Sequence, residues 1–219
     1  MSRQRIAVID YGMGNLHSVA SALQHVSDAD VQVTSEHEVI RAADKVLFPG
    51  VGAIRDCIAE IRRLGFDSLV REEIASGKAV LAICVGMQAL MSHSDENGGV
   101  DCLDHFQGDV RRFSDNTQFQ QASAQVKLKV PHMGWNRVRQ TQSHQMWQSI
   151  EHDSHFYFVH SYFVEPENTA LQAGVCDYGL NFCAALASDN VFATQFHPEK
   201  SHNAGLQLLR NFVAWNGCP

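Results

Sequence analysis

A cysteine and a His-Pro-Glu sequence are the residues of this chain that best suit covalent catalysis. Cys84 follows the apolar run 79–83, and His197 and Glu199 flank Pro198 near the other end of the chain. A cysteine nucleophile needs a base that takes its proton and a third group that orients the base. Because the φ angle of Pro198 is fixed, His197 and Glu199 have a stiff relative geometry. Together the three residues indicate a Cys-His-Glu triad.

The sequence around the cysteine predicts a sharp turn from a strand into a helix. The run 79–83 is typical of a strand buried on both faces, and apolar residues follow helical spacing over 85–91. Such a turn is a nucleophile elbow, in which Ala82 and Gly86 are small enough for strand and helix to approach. A helix N-terminus would also favour the thiolate of Cys84. Taken alone, this segment fits a buried structural cysteine equally well.

With the triad in this order, the sequence resembles the class I glutamine amidotransferases. Further segments narrow the resemblance to the glutaminase subunits of imidazole glycerol phosphate synthase, and it extends over about 6–215. These segments are 10–15, 48–53, 131–136 and 157–162.

The resemblance implies an enzyme that hydrolyses glutamine to glutamate and ammonia without a cofactor. It also implies a heterodimer with a β/α-barrel synthase, which uses the ammonia to make imidazole glycerol phosphate and an aminoimidazole carboxamide ribotide in histidine biosynthesis. In this mechanism Cys84 attacks the amide, His197 transfers protons and Glu199 orients the imidazole.

Substrate binding is predicted for residues on three segments near the cysteine. Gly50 and Gly52 surround Val51, and glycines allow a backbone to turn its N–H groups toward an oxyanion. Gln88 lies one helical turn after the cysteine, on the same face. By resemblance, Glu96 holds the amino-acid substrate. The predicted substrate-binding residues are therefore Gly50, Val51, Gly52, Val85, Gln88 and Glu96.

A second set of residues lies, by resemblance, around the mouth of the active site and on the surface facing the synthase. Tryptophan and tyrosine are also common anchors of protein interfaces. The predicted interface residues are Asn15, Trp135, Tyr162 and Lys200. His132 and His160 belong to segments near this mouth, and we favour a structural role for both.

Alternation of strands and helices positions these residues on an α/β fold. Apolar strands at 5–10, 31–34, 45–48 and 79–83 predict a doubly wound, mostly parallel sheet with its site at the carboxyl edge. From about residue 101 the pattern becomes β-rich, in one domain covering 1–219. This half predicts strands at 110–113, 126–130, 137–139 and 156–164, a mobile connection at 115–124, a hairpin of 182–187 with 191–195, and a last helix at 204–215.

Composition excludes several other classes of protein. A net charge of −7 argues against non-specific binding of nucleic acid, and no apolar run reaches the roughly 18 residues of a membrane span. The start of the chain leads directly into a strand, so we expect no signal peptide. Six scattered cysteines indicate reduced thiols and a cytoplasmic protein.

Metal and dinucleotide sites are not expected. His152 and His155 lack a third ligand at a recognisable spacing. Gly12 and Gly14 begin a possible dinucleotide fingerprint, but its third glycine position holds His17.

Two alternative functions remain open from the sequence. One is a glutaminase subunit of the same superfamily that supplies a different acceptor, such as a sugar-modifying synthase, because the acceptor binds the partner. The other is a non-catalytic α/β module with a redox-sensing or chaperone role, which leaves His197 and Glu199 unexplained.

Overall fold

The computed structural model describes residues 3–218. The domain predicted over 1–219 therefore extends beyond the described residues by two positions at its start and one at its end. The described residues form one sheet of thirteen strands, with seven α-helices. The strands are β1 Arg5–Ile9, β2 Asp30–Thr34, β3 Lys45–Gly50, β4 Ala79–Cys84, β5 Met91–Ser94, β6 Val100–Asp101, β7 Phe106–Arg112, β8 His132–Gln140, β9 Ser154–His160, β10 Tyr162–Pro166, β11 Gln172–Asp177, β12 Asn181–Ser188 and β13 Val191–Thr194. The helices are α1 Leu16–Val26, α2 His37–Ala42, α3 Ile54–Arg63, α4 Phe66–Ala75, α5 Val85–Ala89, α6 Thr117–Val126 and α7 His202–Ala214.

A parallel unit at one end of the sheet contains Cys84. Its strands lie in the order β2-β1-β3-β4-β13, and every neighbouring pair is parallel. All residues of β3 and β4 are buried, which explains the apolar run of β4 and, after Lys45, the apolar run of β3. In their register Gly50 lies opposite Cys84. The prediction of a parallel α/β sheet is confirmed for this half, and Cys84 ends β4 at the carboxyl edge of the sheet.

The second half of the chain adds antiparallel strands to the same sheet. The predicted hairpin is confirmed, since β12 pairs antiparallel with β13. Strand β13 also lies parallel to β4, with Thr194 opposite Ile83. The residues that follow β13 therefore emerge beside Cys84, although more than a hundred residues separate them along the chain.

The predictions for residues 115–130 are wrong. A mobile connection over 115–124 is predicted, but α6 occupies Thr117–Val126. The side chain of Asn116 accepts hydrogen bonds from two backbone N–H groups of its first turn, and Phe119 packs against the ring of Phe113. The strand predicted at 126–130 does not form, because Lys127 ends the helix with a φ of +52° and extended loop follows.

Two boundaries near the site also differ from the prediction. The helix predicted to reach Met91 ends at Ala89, because Met91 begins β5, which pairs with β7. The strand predicted over 156–164 is divided at Ser161 into β9 and β10, which pair with different partners. Both boundaries are set by hydrogen bonds between strands, which the spacing of apolar residues does not reveal.

Helix α3 buries one apolar stripe. Its buried residues are Ile54, Cys57, Ile58 and Ile61, so Cys57 is a core residue. Within residues 3–218, we find no helix of sufficient length and apolarity to cross a membrane.

Candidate active site

Cys84 occupies a backbone conformation that positions its side chain on a sharp turn. Its φ is +57° and its ψ is −111°, a combination that is rare outside glycine. Two glycines make the turn possible. A Cβ atom at Gly86 would lie 2.2 Å from the carbonyl oxygen of Phe48, and one at Gly50 would lie 2.7 Å from the nitrogen of Gly86. Strand β3 and helix α5 therefore meet at backbone distance, as an elbow requires.

The helix after Cys84 differs from the one that the sequence predicts. It has only five residues, so the peptide dipoles that would favour a thiolate at its N-terminus are few. The main support for charge on the sulfur must therefore come from side chains nearby.

His197 and Glu199 form a buried hydrogen-bonded pair immediately after β13. The Nδ1 atom of His197 lies 2.9 Å from Oε1 of Glu199, whose side chain is completely inaccessible to solvent. Because a carboxylate only accepts hydrogen bonds, Nδ1 carries the proton and Nε2 is left for the sulfur. Nε2 is buried and makes no hydrogen bond of normal geometry to any residue from 3 to 218.

The surroundings of His197 favour its charged form. Burial lowers the pKa of the imidazole, but the negative charge and hydrogen bonding of Cys84 and then of Glu199 outweigh burial and raise it to about 10. The imidazole of His197 is therefore held in its charged form at neutral pH.

Gln195 is a site residue that the sequence analysis missed. Its Nε2 lies 3.7 Å from Sγ of Cys84, and its Oε1 accepts a hydrogen bond of 2.9 Å from Nε2 of Gln88. The sequence did carry a signal, because Gln195 ends the strand predicted over 191–195 and is two residues before His197, and residues two apart along extended backbone share one face.

A cavity of about 300 Å³ opens above the cysteine. Every predicted substrate-binding residue except Gly50 lines it, together with Cys84 and His197. Gly50 lies beneath, in a narrow gap that it shares with Asn15 and Glu199. Four further residues of the cavity were assigned by the sequence analysis neither to catalysis, nor to substrate binding, nor to the interface; these are Pro131, Val159, His160 and Ser161.

The glycine segment 50–52 is held from below by two donors. The hydroxyl of Tyr11 donates to the carbonyl of Pro49 at 2.8 Å, and the thiol of Cys57 donates to the carbonyl of Val51 at 3.4 Å. Burial raises the pKa of Cys57 to about 11, so it remains a thiol and a donor. Because C=O and N–H point in opposite directions across a trans peptide, the N–H of Gly52 points away from Cys57.

Comparison with known proteins identifies the family. The family model "Glutamine amidotransferase class-I" matches residues 7–215. A protein of Pseudomonas putida named imidazole glycerol phosphate synthase subunit HisH is 59% identical over 214 residues, 98% of this chain and 99% of its own. One of the same name from Acinetobacter baylyi is 58% identical over 213 residues, 97% of this chain and 98% of its own.

The chain is a class I glutamine amidotransferase of the HisH family. Solved structures agree on the fold. PurLQS from Thermotoga maritima superposes with a TM-score of 0.73 at 13% identity, covering 97% of this chain and 99% of that one. The glutaminase domain of CTPS from Trypanosoma brucei gives 0.64 at 17% identity, covering 99% of this chain and 98% of that one.

The predicted interface residues of this amidotransferase fall in three places. Trp135 is 44% exposed and stacks on His202 at 4.8 Å, and Lys200 lies 6.0 Å above the ring of Tyr157, which also contacts Trp135. Tyr162 instead lines the cavity, and Asn15 lines the narrow gap beneath Gly50. Trp135 and Lys200 therefore share one exposed surface, and the other two residues do not belong to it.

His132 and His160 are both hydrogen-bonded, as a structural role requires. Nδ1 of His132 lies 2.9 Å from Nε2 of His160, and Nδ1 of His160 lies 2.7 Å from the carbonyl of Tyr162. Burial lowers the pKa of His132 to about 4 and that of His160 to about 3, so both are neutral at physiological pH.

Proposed function

We propose that the chain is the glutaminase subunit of an imidazole glycerol phosphate synthase and acts in histidine biosynthesis. The observation that carries this proposal is the buried His197–Glu199 pair beside Cys84, at the floor of a cavity. Relatives that are 58–59% identical over nearly the whole chain are named as subunits of imidazole glycerol phosphate synthase. Their names support this synthase, rather than another, as the enzyme that receives the ammonia.

The reaction follows from the roles available to the three side chains. The thiolate of Cys84 attacks the side-chain amide carbon of glutamine, and the C–N bond breaks as the imidazolium of His197 donates its Nε2 proton to the leaving ammonia. This leaves a thioester and a neutral imidazole, which then takes a proton from water. The resulting hydroxide attacks the thioester, the C–S bond breaks, and glutamate leaves. Glu199 holds the imidazole and stabilises its charge throughout.

Substrate binding in this proposal uses the residues around the cavity. The backbone N–H groups of Val51 and Gly52 make no hydrogen bond within the described chain, which leaves them for the oxyanion. Gln88 uses its amide nitrogen on other residues, so its Oε1 is available to accept from the substrate amide. The carboxylate of Glu96, anchored 2.9 Å from the backbone nitrogen of Ile54, would bind the substrate ammonium.

Ammonia would pass to a β/α-barrel synthase subunit docked over the cavity. We place Asn15, Trp135, Tyr162 and Lys200 around that contact, and we propose that the partner raises the glutaminase activity by biasing the glycine segment 50–52. A φ of +100° at Gly52 gives this backbone a freedom that other residues lack. We further propose that residues 1–219 act as one domain in the cytoplasm, where the six free thiols would stay reduced.

The test separates glutamine hydrolysis from synthesis in the assembled complex. Cys84→Ala should abolish glutamate release, because no other group can form the thioester, and should retain product formation when an ammonium salt replaces glutamine. Cys218→Ala, at an exposed cysteine, is the matched control and should behave as wild type. Near-normal glutamate release by Cys84→Ala would refute the mechanism, and loss of the ammonia-dependent reaction would refute the division of labour.

A further inference from the structure

We propose that Gln195 is a further catalytic residue of this site, whose side-chain N–H stabilises the thiolate of Cys84. The Nε2 of Gln195 lies 3.7 Å from Sγ, and the residue has no solvent-exposed surface. A hydrogen bond to the charged form of a group favours that form. The donor would act twice in the proposed glutaminase reaction, before the sulfur attacks and again when the thioester breaks and the sulfur leaves.

The orientation of the Gln195 carboxamide is fixed by its neighbours. The Nε2 of Gln88 lies 3.2 Å from the backbone carbonyl of Tyr162, and a carbonyl oxygen can only accept. Gln88 must therefore place its amide nitrogen there, and the second N–H of that nitrogen points at Oε1 of Gln195, 2.9 Å away. The amide nitrogen of Gln195 is then the atom that faces the sulfur.

The Tyr162 carbonyl that sets this direction is itself held by the two buried histidines. Nδ1 of His160 donates to it at 2.7 Å, which makes Nε2 of His160 an acceptor. Nδ1 of His132, 2.9 Å from that Nε2, must donate. A polar network thus continues from His132 to the sulfur of Cys84, and burial keeps both histidines neutral.

The other titratable groups near the sulfur provide no positive charge beyond that of His197. His197 is the cation of the site, while burial raises the pKa values of Tyr11 and Cys57 and keeps both protonated. Glu199 accepts a hydrogen bond from His197 and donates none. Gln195 therefore provides a neutral donor in addition to the imidazolium.

A purely structural role does not account for this contact. A buried carboxamide is costly unless its donors are paired, and a thiol sulfur is a weak acceptor. A thiolate is a much better acceptor. The contact therefore contributes little to the stability of a protonated site and selectively stabilises a charged one.

The experiment measures the pH dependence of alkylation by iodoacetamide at Cys84, which lines the cavity. Peptide-resolved mass spectrometry separates this reaction from alkylation of Cys218, which is exposed. The variants are Gln195→Glu, which puts an acceptor where the N–H was, and Gln195→Met, which removes the donor at similar length. Thr194→Val is the matched control. It removes the buried hydrogen bond from the Thr194 hydroxyl, at the end of β13 and next to Gln195, to the carbonyl of Phe196, and it leaves the Gln195 side chain intact.

We expect the alkylation midpoint to rise by at least about one pH unit in Gln195→Glu, which slows alkylation roughly tenfold below the midpoint. Gln195→Met should shift it in the same direction by less, and Thr194→Val should leave it unchanged. Wild-type midpoints in both Gln195 variants, or an equal shift in Thr194→Val, would overturn the proposal. Since Gln195→Met conserves volume, it decides the question if Gln195→Glu fails to fold.

The assay does not depend on the proposed function, because alkylation requires neither glutamine nor a partner. A wild-type complex that releases glutamate, combined with unshifted Gln195 variants, would refute this inference alone. A wild-type complex without glutaminase activity would refute the proposed function, whatever the alkylation profiles.

Discussion

Replacing Glu199 by glutamine tests how much the buried carboxylate contributes to catalysis. The Nδ1–Oε1 distance of 2.9 Å corresponds to a charge–charge attraction of about 6 kcal/mol at an effective dielectric constant of about 20. A glutamine of the same shape keeps a neutral hydrogen bond to Nδ1 and loses the charge. We expect about half or more of this attraction to disappear, which corresponds to a fall in kcat of roughly 10²–10⁴-fold.

The assay is glutamate release by the complex, with kcat and KM determined separately. Because Glu199 does not line the cavity, KM for glutamine should change little while kcat falls. The pKa of His197 should also fall, since the hydrogen bond and charge of Glu199 help to raise it. Alkylation of Cys84 at neutral pH should therefore slow as well.

The matched control is Glu167→Gln, which makes the same chemical change at an exposed loop position and should retain wild-type kinetics. A folded Glu199→Gln complex with kcat within tenfold of wild type would refute the reasoning, because a buried charge at 2.9 Å would then contribute almost nothing to the imidazolium. A large rise in KM at constant kcat would instead place Glu199 in substrate binding.

Two further predictions concern stability. Gly86→Ala should destabilise the fold by about 3 kcal/mol or more, because its Cβ would lie 2.2 Å from the Phe48 carbonyl oxygen. The control Gly77→Ala has open space but a φ of +82°, so it should cost only about 1 kcal/mol. Urea unfolding measures both costs, and equal values would contradict this account. His132 and His160 have folded-state pKa values of about 4 and about 3, which lie below the value of an unfolded histidine. The unfolded chain therefore binds more protons, and the free energy of unfolding should fall as the pH is lowered from about 6.5 toward 4. The fall should reach up to about 1.4 kcal/mol per pH unit for each histidine. Unfolding free energies that are equal at pH 7 and pH 5 would contradict burial of neutral imidazoles. His197 has the opposite effect, because its raised pKa gives stability that is fully present below about pH 6.5 and is lost as the pH rises toward 10.

Much of the parallel half is determined by the sequence itself. Strands β3 and β4 are buried on both faces, so nearly every position must be apolar and the pattern is unmistakable. The turn at Cys84 follows from the change of hydrophobic period, and Gly86 follows from the backbone approach that an elbow requires. These features depend only on residues close in sequence or on burial, and both can be inferred from the spacing of apolar residues and glycines.

Other features were decided only by tertiary contacts. Helix α6 lacks a strong apolar stripe and depends on Phe119 packing against Phe113, which the local sequence does not reveal. Gln195 acquires its partners because β13 lies beside β4, bringing together atoms of residues 111 positions apart. The direction of its hydrogen bond is then set by a carbonyl on β10. The role of a polar side chain depends on the hydrogen-bond partners that the fold brings to it. The sequence gives the type of the residue but not those partners.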